Sequence, residues 1–292
     1  MTHVLVFGSR GQLAQELKRA EWKEGTTLTF LGRADADLSA PQTLAPIVEQ
    51  ARPDAIVIAA AYTAVDKAES EEALATAVNA KGPAAISAAA AAWDVPVIYV
   101  STDYIFDGNK EGWYDEADKP SPLSAYGRSK LAGEERVRSA NPRHLILRTS
   151  WVYSAHGSNF VRTMIRLAAS RDAVDVVEDQ FGCPTAAADL AQAISRVLPA
   201  LLDPAARFGT YHLAGASDTT WHGFAEGVFT ALAQRGMSRP QNLAIKTSAY
   251  PTPARRPMNS RLLSAHFRDI YGVSLPPWEE SLPKVLNELL PA

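Results

Sequence analysis

Short apolar runs alternate with longer amphipathic stretches through the first half of the chain. The apolar runs lie at 4–7, 28–31, 55–60, 97–100 and 145–147, and helical spacing follows at 12–20, 40–51, 83–93 and 126–138. Strands that are apolar on both faces are typical of a parallel sheet covered by helices. The pattern therefore predicts an α/β protein built on a doubly wound parallel sheet.

The alternation becomes irregular after about Trp151. Helical patterns are found at 159–170, 189–198, 221–235, 260–269 and 278–290, and prolines at 251, 253, 257, 276 and 277 mark loops. We expect residues 1–150 to form the sheet domain and residues 151–292 to form mainly a smaller substrate-binding lobe. Segments near 174–198 and 210–215 are expected to return to the sheet.

Composition narrows the kinds of partner. The 292 residues carry a net charge of −3 without a Lys/Arg cluster, which predicts neither a nucleic-acid nor a membrane partner and favours a small molecule. The one cysteine, Cys183, excludes an intrachain disulfide and fits a reducing compartment. No leader or transmembrane pattern is recognisable, so we expect a cytoplasmic protein. The six histidines show no metal-ligand spacing, and no metal is predicted.

The first apolar run leads directly into a glycine-containing turn, which starts at Gly8, passes Gly11 and opens a helical pattern. Glycines at this place let the backbone approach a pyrophosphate at the positive end of a helix. We therefore predict a Rossmann-type dinucleotide site, with Ala14 small enough to replace a third glycine. The residues assigned to the cofactor here are Gly8, Gly11, Gln12 and Leu13.

The end of the second strand usually distinguishes NADP from NAD. Arg33 suits a 2′-phosphate, whereas Asp35 and Asp37 can bind ribose hydroxyls. NADPH is the preferred cofactor, and NADH remains an alternative. From this segment we assign Arg33, Asp37 and Leu38 to the cofactor.

Small residues follow the third strand, where a flat cofactor can lie close to the backbone. Ala60, Ala61 and Thr63 are the candidates. The charged residues just beyond them are expected to be solvated: Asp66, Lys67 and Glu69. Asn79, in the following helix, is expected to be exposed, although its amide could instead hold a backbone carbonyl near the site.

Tyr126 and Lys130 lie one helical turn apart, which places a phenol and an ammonium on the same helix face. A nearby cation favours phenolate, so we expect Lys130 to lower the pKa of Tyr126 toward the range useful for acid–base chemistry. Ser101 or Thr102, at the end of the fourth strand, could hydrogen-bond a substrate oxygen that receives the Tyr126 proton. These residues point to carbonyl or alcohol chemistry.

Several segments in fixed order resemble the extended short-chain dehydrogenases/reductases. They are Gly8-x2-Gly11, 61–69, 101–108, the Tyr126-x3-Lys130 pair, 148–153, 180–185 and 256–260. The resemblance covers nearly the whole chain. Its departures are Ala14 in place of a glycine and Tyr62 where a histidine is usual.

The resemblance implies reduction of the C4 ketone of dTDP-4-dehydro-L-rhamnose to dTDP-L-rhamnose with NAD(P)H. It implies that Tyr126 is the proton donor. It also implies that Lys130 binds the nicotinamide ribose and tunes the pKa of the phenol. Thr102 completes the hydroxyl network, Asp103 assists orientation, and Trp151 offers a flat face to the deoxysugar.

A nucleotide-sugar substrate also needs contacts to its diphosphate. Arg256, with Arg255 and Arg261 nearby, is a candidate because a guanidinium matches phosphate oxygens in bidentate geometry. Gln180 is expected in a loop at the substrate crevice.

Two other functions remain open. One is a different nucleotide-sugar enzyme of the same family, such as an epimerase or dehydratase that keeps NAD bound. The other is a non-catalytic regulatory subunit resembling that of methionine adenosyltransferase. The resemblance also allows a homodimer, bridged by Mg²⁺ through surface acids such as Glu16, although the sequence itself does not indicate magnesium.

Overall fold

A computed structural model describes residues 1–290 of the chain. Its strands β1 to β12 are Thr2–Phe7, Thr26–Leu31, Ala55–Ile58, Val97–Thr102, His144–Thr149, Val152–Tyr153, Ala173–Val177, Phe181–Gly182, Thr185–Ala186, Gly209–His212, Thr219–Thr220 and Gln241–Ile245. Its α-helices α1 to α11 are Gln12–Arg19, Leu44–Ala51, Val65–Ala68, Glu72–Thr76, Gly82–Ala91, Ala125–Ala140, Phe160–Ala168, Ala187–Leu201, Trp221–Ala233, Ala265–Tyr271 and Trp278–Leu289. Short 3₁₀ turns occupy Pro41–Thr43, Asp103–Ile105 and Thr247–Ala249, and a π-helical turn occupies Ala77–Lys81.

Six of the strands between residues 1 and 290 form one parallel sheet in the order β10-β5-β4-β3-β1-β2. The predicted doubly wound α/β fold is confirmed, and all five strands expected in the first half lie in this sheet. The strand order reverses between β1 and β3. In such sheets the crevice outside the carboxyl ends of the strands at that point is the usual ligand site.

Helices cover both faces of the sheet, which explains why its strands are apolar throughout. One face packs against α1 and α8 through a core that includes Val6, Leu17 and Ile194. The other packs against α2 and α5, with Leu5, Leu44 and Ile86 in the core. The helix expected at 40–51 begins as a 3₁₀ turn at Pro41 and becomes α-helical only at Leu44.

The later elements form a second packed unit beside the carboxyl edge of the sheet. Strands β7 and β12 pair in parallel, and α7, α9 and α11 share a core that includes Val161, Phe224 and Leu286. From the same half of the chain, β10 joins the large sheet beside β5, and α8 packs on α1.

The helix expected at 260–269 begins later than predicted, at Ala265. The Ser260 amide instead donates to the Phe181 carbonyl at 2.8 Å, and the Leu263 amide donates to the Tyr114 carbonyl at 2.8 Å. Backbone bonds to other segments therefore hold 260–263 extended. Among residues 1–290, we find no helix that combines the length and apolar character required to cross a bilayer.

Candidate active site

A cleft of about 1310 Å³ opens at the carboxyl edge of the sheet, between the sheet domain and the later elements. It is lined by the turn after β1, by the ends of β2, β3, β4 and β5, by the start of α6, and by Trp151 and Trp221. Most of the predicted site residues meet here: Gly8, Gly11, Gln12, Leu13, Arg33, Asp37, Ala60, Ala61, Thr63, Thr102, Asp103, Tyr126, Lys130 and Trp151.

The turn after β1 presents bare backbone to the cleft. Gly8 adopts φ +121°, a conformation that L side chains rarely take, and a Cβ there would lie 3.0 Å from the Ala60 nitrogen. Gly11 is the N-cap of α1 without a side-chain capping bond, and an added Cβ would meet nothing within 4 Å. The first amides of α1 are therefore left for an anionic ligand, as a pyrophosphate requires.

The segment after β2 supplies charge at the rim of the cleft. The Arg33 guanidinium is largely exposed and donates to Asp37 at 3.2 Å. Asp35 accepts the Gly32 amide at 2.9 Å, so its carboxylate already has a backbone donor. Leu38 does not reach the cleft, because it is 5% exposed and packs in the core under Gly82.

Behind β3, Asn79 is buried and not exposed, so that expectation is wrong. The π-helical turn points its side chain inward, where it accepts from the Tyr62 amide at 2.8 Å and donates to the Tyr62 carbonyl at 3.0 Å. It also donates to the Ser129 hydroxyl on α6 at 2.9 Å. The alternative held open, that its amide holds a backbone carbonyl near the site, is confirmed.

Two of the three charges expected to be solvated also have structural contacts. Glu69 accepts the Ala125 amide at 2.8 Å, which satisfies a free N–H at the start of α6. Asp66 accepts two bonds from Arg256, at 3.0 and 2.8 Å. Glu69 and Lys67 are nevertheless exposed, as expected, and Lys67 is paired with Glu71 at 2.8 Å. Asp66 is only partly exposed.

Tyr126 and Lys130 face the cleft from α6, which begins at the N-cap Ser124. The Ser124 hydroxyl accepts the Gly127 amide at 3.2 Å. Lys130 is 1% exposed; its Nζ donates to the Val100 carbonyl at 2.7 Å and lies 3.9 Å from the centre of the Tyr99 ring. Burial lowers the pKa of Lys130 to about 7.

The expected lowering of the Tyr126 pKa by Lys130 is wrong. Burial raises the pKa of Tyr126 to about 12, the Thr102 hydroxyl opposes this, and the Asp103 charge adds to it. The ammonium of Lys130 contacts the Val100 carbonyl and the Tyr99 ring instead. Tyr126 is therefore a protonated phenol at neutral pH, which suits a proton donor.

A hydroxyl and a carboxyl lie next to the phenol. Thr102, at the end of β4, donates to Asp103 at 3.0 Å, and Ser150 donates to the same carboxyl at 3.2 Å. Burial raises the pKa of Asp103 to about 6, against the lowering effect of hydrogen bonds from Ser260, Thr102 and Ser150. Thr149, the neighbour of Thr102 on β5, has a buried hydroxyl without a hydrogen-bond partner among residues 1–290, so it is free for a bound ligand.

Trp151 adopts an unusual backbone conformation in the lining of the cleft. Its φ is +47°, a region that non-glycine residues rarely occupy. Its ring stacks on Trp221, with the ring centres 3.4 Å apart and an interplanar angle of 5°. Such strain is typical of functional positions. Trp221 opens α9 and joins the site from the second half of the chain, which its sequence context did not indicate.

Gly182 is the residue that makes room for the Trp151 ring, because a Cβ there would lie 2.3 Å from Cε2 of the indole. We expect Gly182→Ala to displace the indole and to cost about 1–3 kcal/mol of stability from overpacking. Affinity for a substrate held by Trp151 should fall about tenfold or more, while cofactor affinity stays the same. Titration calorimetry with each ligand separates the two; equal loss of both would contradict a local effect on Trp151.

Two predicted substrate residues lie outside the lining of the cleft. Gln180 is 5% exposed and donates to the Thr247 hydroxyl at 3.1 Å. Arg256 is paired with Asp66, which links the 251–264 segment to α3. It also lies beside Tyr104, a residue of the cleft wall. Any anion that binds Arg256 must therefore compete with a carboxylate.

The acid expected at the surface, Glu16, is 4% exposed, so that expectation is wrong. It lies 3.5 Å from Arg19, and burial raises its pKa. Across residues 1–290, no group of three or more His, Cys, Asp or Glu side chains has the geometry to hold a metal ion.

The chain matches the family described as "RmlD substrate binding domain" over residues 1–290. It is 46% identical over 287 residues to the dTDP-4-dehydrorhamnose reductase of Sinorhizobium fredii, covering 98% of this chain and 97% of the relative. A dTDP-4-dehydrorhamnose reductase from Clostridium acetobutylicum superimposes with a TM-score of 0.92 at 32% identity, covering 99% of both chains. The Bacillus anthracis dTDP-4-dehydrorhamnose reductase, solved in complex with NADP, gives 0.91 at 33% identity over 99% of this chain and 100% of that one. The chain therefore belongs to the RmlD substrate binding domain family, with dTDP-4-dehydrorhamnose reductases as its relatives.

Proposed function

We propose that the protein reduces the C4 ketone of dTDP-4-dehydro-L-rhamnose to dTDP-L-rhamnose, with NADPH as the preferred cofactor. The observation that carries this proposal is the meeting of Tyr126, Lys130 and Thr102 with the Gly8–Gly11 turn in one cleft. A nucleotide-binding turn and a proton donor at the same strand ends are what ketone reduction requires. The relatives named dTDP-4-dehydrorhamnose reductase support the choice of substrate.

The residues of the cleft fit a nicotinamide dinucleotide. The glycine turn and the uncapped start of α1 suit the pyrophosphate, and the small side chains of Ala60 and Ala61 leave space for flat groups. Arg33 suits a 2′-phosphate, in agreement with NADP in the Bacillus anthracis relative. When bound, the reduced cofactor supplies the hydride that is added to the ketone carbon.

The protein's own part in the reaction is to protonate and stabilise the developing oxyanion. Tyr126 donates its phenolic proton to the oxygen at C4, and the Thr102 hydroxyl hydrogen-bonds that phenol. Lys130 would hold the nicotinamide ribose, and its positive charge on the same face of α6 would favour release of the Tyr126 proton. Asp103 orients Thr102 by accepting its hydrogen bond.

The substrate is proposed to lie between the two halves of the chain. Residues 1–150 bind the cofactor, while the lobe formed mainly by 151–292 supplies Trp151 and Trp221 as apolar faces for the deoxysugar. Arg256 is proposed as a diphosphate ligand that leaves Asp66 when substrate binds. Gln180, held by Thr247, is proposed to shape the adjoining loop.

The cellular setting follows from the same proposal. The substrates are nucleotide-activated sugars, and buried Cys183 is the chain's single cysteine, so we infer a protein of the reducing cytoplasm. The homodimer stays a prediction, to be checked by measuring the molar mass in solution with light scattering.

The decisive experiment couples the enzymes that make dTDP-4-dehydro-L-rhamnose to this protein and follows the loss of NADPH absorbance. Turnover, with dTDP-L-rhamnose identified by mass spectrometry and NMR, supports the proposal. Folded protein that binds NADPH without turnover would favour the regulatory alternative. Protein purified with NAD firmly bound would favour an epimerase or dehydratase.

Cofactor preference offers a separate test at Arg33. We expect Arg33→Ala to weaken NADPH binding about tenfold, because an exposed guanidinium contributes a charge-assisted bond to the 2′-phosphate. NADH, which lacks that phosphate, should bind unchanged. Fluorescence titration with both cofactors measures this ratio; a parallel loss for NADH would show that Arg33 acts on the shape of the loop and not on the phosphate.

A further inference from the structure

Gln12 is the first residue of α1, and its backbone and side chain serve different parts of the molecule. Its amide is among the N–H groups at the start of the helix that have no partner within it, next to the uncapped Gly11. Its side chain extends to the segment that follows Trp151. There Nε2 donates to the Val152 carbonyl at 3.4 Å, and Oε1 accepts from Asn159 at 2.9 Å. One residue therefore joins the anion-binding turn to the segment that carries Trp151.

The segment bound by Gln12 is held together by its own hydrogen bonds. Asn159 is the N-cap of α7, and its Nδ2 also donates to the Ser154 carbonyl at 2.8 Å. The Ser154 hydroxyl accepts the His156 amide at 2.9 Å and lies 3.3 Å from Oε1 of Gln12. Because these bonds join 154–159 into one unit, a displacement of Gln12 is passed to the whole unit.

Trp151 needs restraints on both sides because its backbone is strained. A φ of +47° at a tryptophan persists only where the surrounding structure holds it. On one side, the Trp151 carbonyl accepts the Thr185 amide of β9 at 3.2 Å. The carbonyl of the next residue, Val152, accepts from Gln12 instead. Loss of the Gln12 bonds would let the backbone at Trp151 relax and would move its indole.

We propose that Gln12 is a positioning residue for the sugar site, which couples occupation of the pyrophosphate turn to the position of Trp151. Its backbone amide binds the cofactor phosphate, while its side chain holds the Trp151 segment. An anion at the turn therefore fixes both ends of the bridge, and the deoxysugar is affected through Trp151. This inference rests on the proposed function for the two ligands that it connects.

A role in simply attaching α1 to the later elements explains the arrangement less well. Farther along the same face of the helix, Glu16 lies 3.7 Å from His156, and Arg19 is paired with Glu288. These contacts already join α1 to the second half of the chain. Gln12 is the member of this row whose amide lies at the anion-binding end of the helix and whose side chain reaches β6.

The first test compares ligand affinities of Gln12→Leu and the native protein by titration calorimetry. Leucine keeps the backbone amide and most of the volume but removes both ends of the bridge. With NADP⁺ bound, we expect affinity for dTDP-L-rhamnose to fall about tenfold, whereas affinity for dTDP, which lacks the sugar, stays within about threefold. NADPH affinity should also be retained, because the amide at the turn is unchanged.

Gln192→Leu is the matched control. Gln192 accepts the Glu21 amide beyond the other end of α1, at 3.2 Å, so its loss should change none of these affinities. Gln12→Ala, whose smaller side chain cannot crowd the turn, should behave like Gln12→Leu. An equal loss for dTDP and dTDP-L-rhamnose in the Gln12 variants, or no loss for either, would overturn the proposal.

A second measurement uses neither the sugar nor turnover. In protein labelled with fluorotryptophan, the ¹⁹F signal of Trp151, identified by its loss in Trp151→Phe, reports the surroundings of that indole. The probe is 2′-phospho-ADP-ribose, which carries the pyrophosphate but no nicotinamide. It should shift the Trp151 signal in the native protein and in Gln192→Leu, but not in Gln12→Leu. An equal shift in Gln12→Leu, or none in the native protein, would contradict the coupling.

Failure of the coupling and failure of the proposed function give different results. If the native protein does not reduce the sugar but the Trp151 signal responds to the probe through Gln12, the proposed function fails and the coupling stands. If the native protein reduces the sugar but the signal responds equally in Gln12→Leu, the coupling fails and the proposed function stands.

Discussion

Replacing Tyr126 by Phe should lower kcat by about 10²–10⁴-fold, the range that a positioned general acid contributes. The substitution removes one oxygen from a ring that stays packed edge-on against Tyr104, with ring centres 5.8 Å apart. The phenol lies beside the Thr102 hydroxyl, and burial raises the pKa of Tyr126 to about 12, so the proton stays on the phenol through neutral pH. Without it, the oxygen formed at C4 has to take a proton from water.

Comparing turnover with NADPH affinity distinguishes loss of the proton donor from disruption of the whole site. NADPH affinity of Tyr126→Phe should stay within a few-fold of the native value, since the glycine turn and Arg33 are untouched. Tyr62→Phe is the matched control, because that phenol donates to Glu71 outside the cleft and its removal should leave kcat unchanged. Single-turnover measurement of NADPH oxidation tests both. Native turnover in Tyr126→Phe would show that another group delivers the proton.

The parts of the fold that were predictable from sequence are those governed by local pattern. Continuous apolar strands imply burial on both faces, and burial on both faces implies helices on either side of a parallel sheet. The turn at Gly8 follows from the same logic, since a positive φ beside a strand end needs glycine. These features depend on neighbouring residues alone.

Features that depend on distant partners could not be read from the sequence. Trp221 enters the site because β11, which leads directly into α9, pairs with β8, with Thr220 opposite Phe181. The bond between Asp66 and Arg256 joins residues far apart in the chain, and each looks like an ordinary surface charge by itself. Asn79 is buried because a π-helical turn rotates it inward, which its helix propensity does not indicate.

The pKa of Tyr126 shifts in the direction opposite to the prediction for a similar reason, namely burial by distant residues. Spacing on the helix placed a cation next to the phenol, but the side chain of Lys130 extends to the Val100 carbonyl and the Tyr99 ring. Desolvation then dominates both groups: it raises the pKa of the phenol and lowers that of the amine. Sequence spacing fixes which residues share a face, whereas the depth of burial depends on strands that arrive from elsewhere.

Replacing Lys130 by Met should change stability and activity in opposite directions. Lowering the pKa of Lys130 from 10.5 to about 7 corresponds to a burial cost of about 5 kcal/mol for the ammonium. The lost bond to Val100 and the lost contact with the Tyr99 ring oppose this by about 2–4 kcal/mol. Lys130→Met should therefore be more stable by about 1–3 kcal/mol at neutral pH, although its turnover falls by about 10²-fold or more.

The pH dependence of that gain identifies its cause. The pKa of Lys130 is lower in the folded protein than in the unfolded chain, so the unfolded chain binds more protons between about pH 7 and 10.5 and native stability rises with pH across that window. The stability advantage of Lys130→Met should be complete below about pH 7 and decline toward pH 10.5.

Urea unfolding at about pH 6 and about pH 9 measures this advantage, with the exposed Lys284→Met as a control that should change little at either pH. Lower stability of Lys130→Met at both values would mean that the contacts with Val100 and Tyr99 outweigh the cost of burial. A gain that shrinks with pH would instead show that the protein carries a destabilising charge at the place where the proposed reaction needs it.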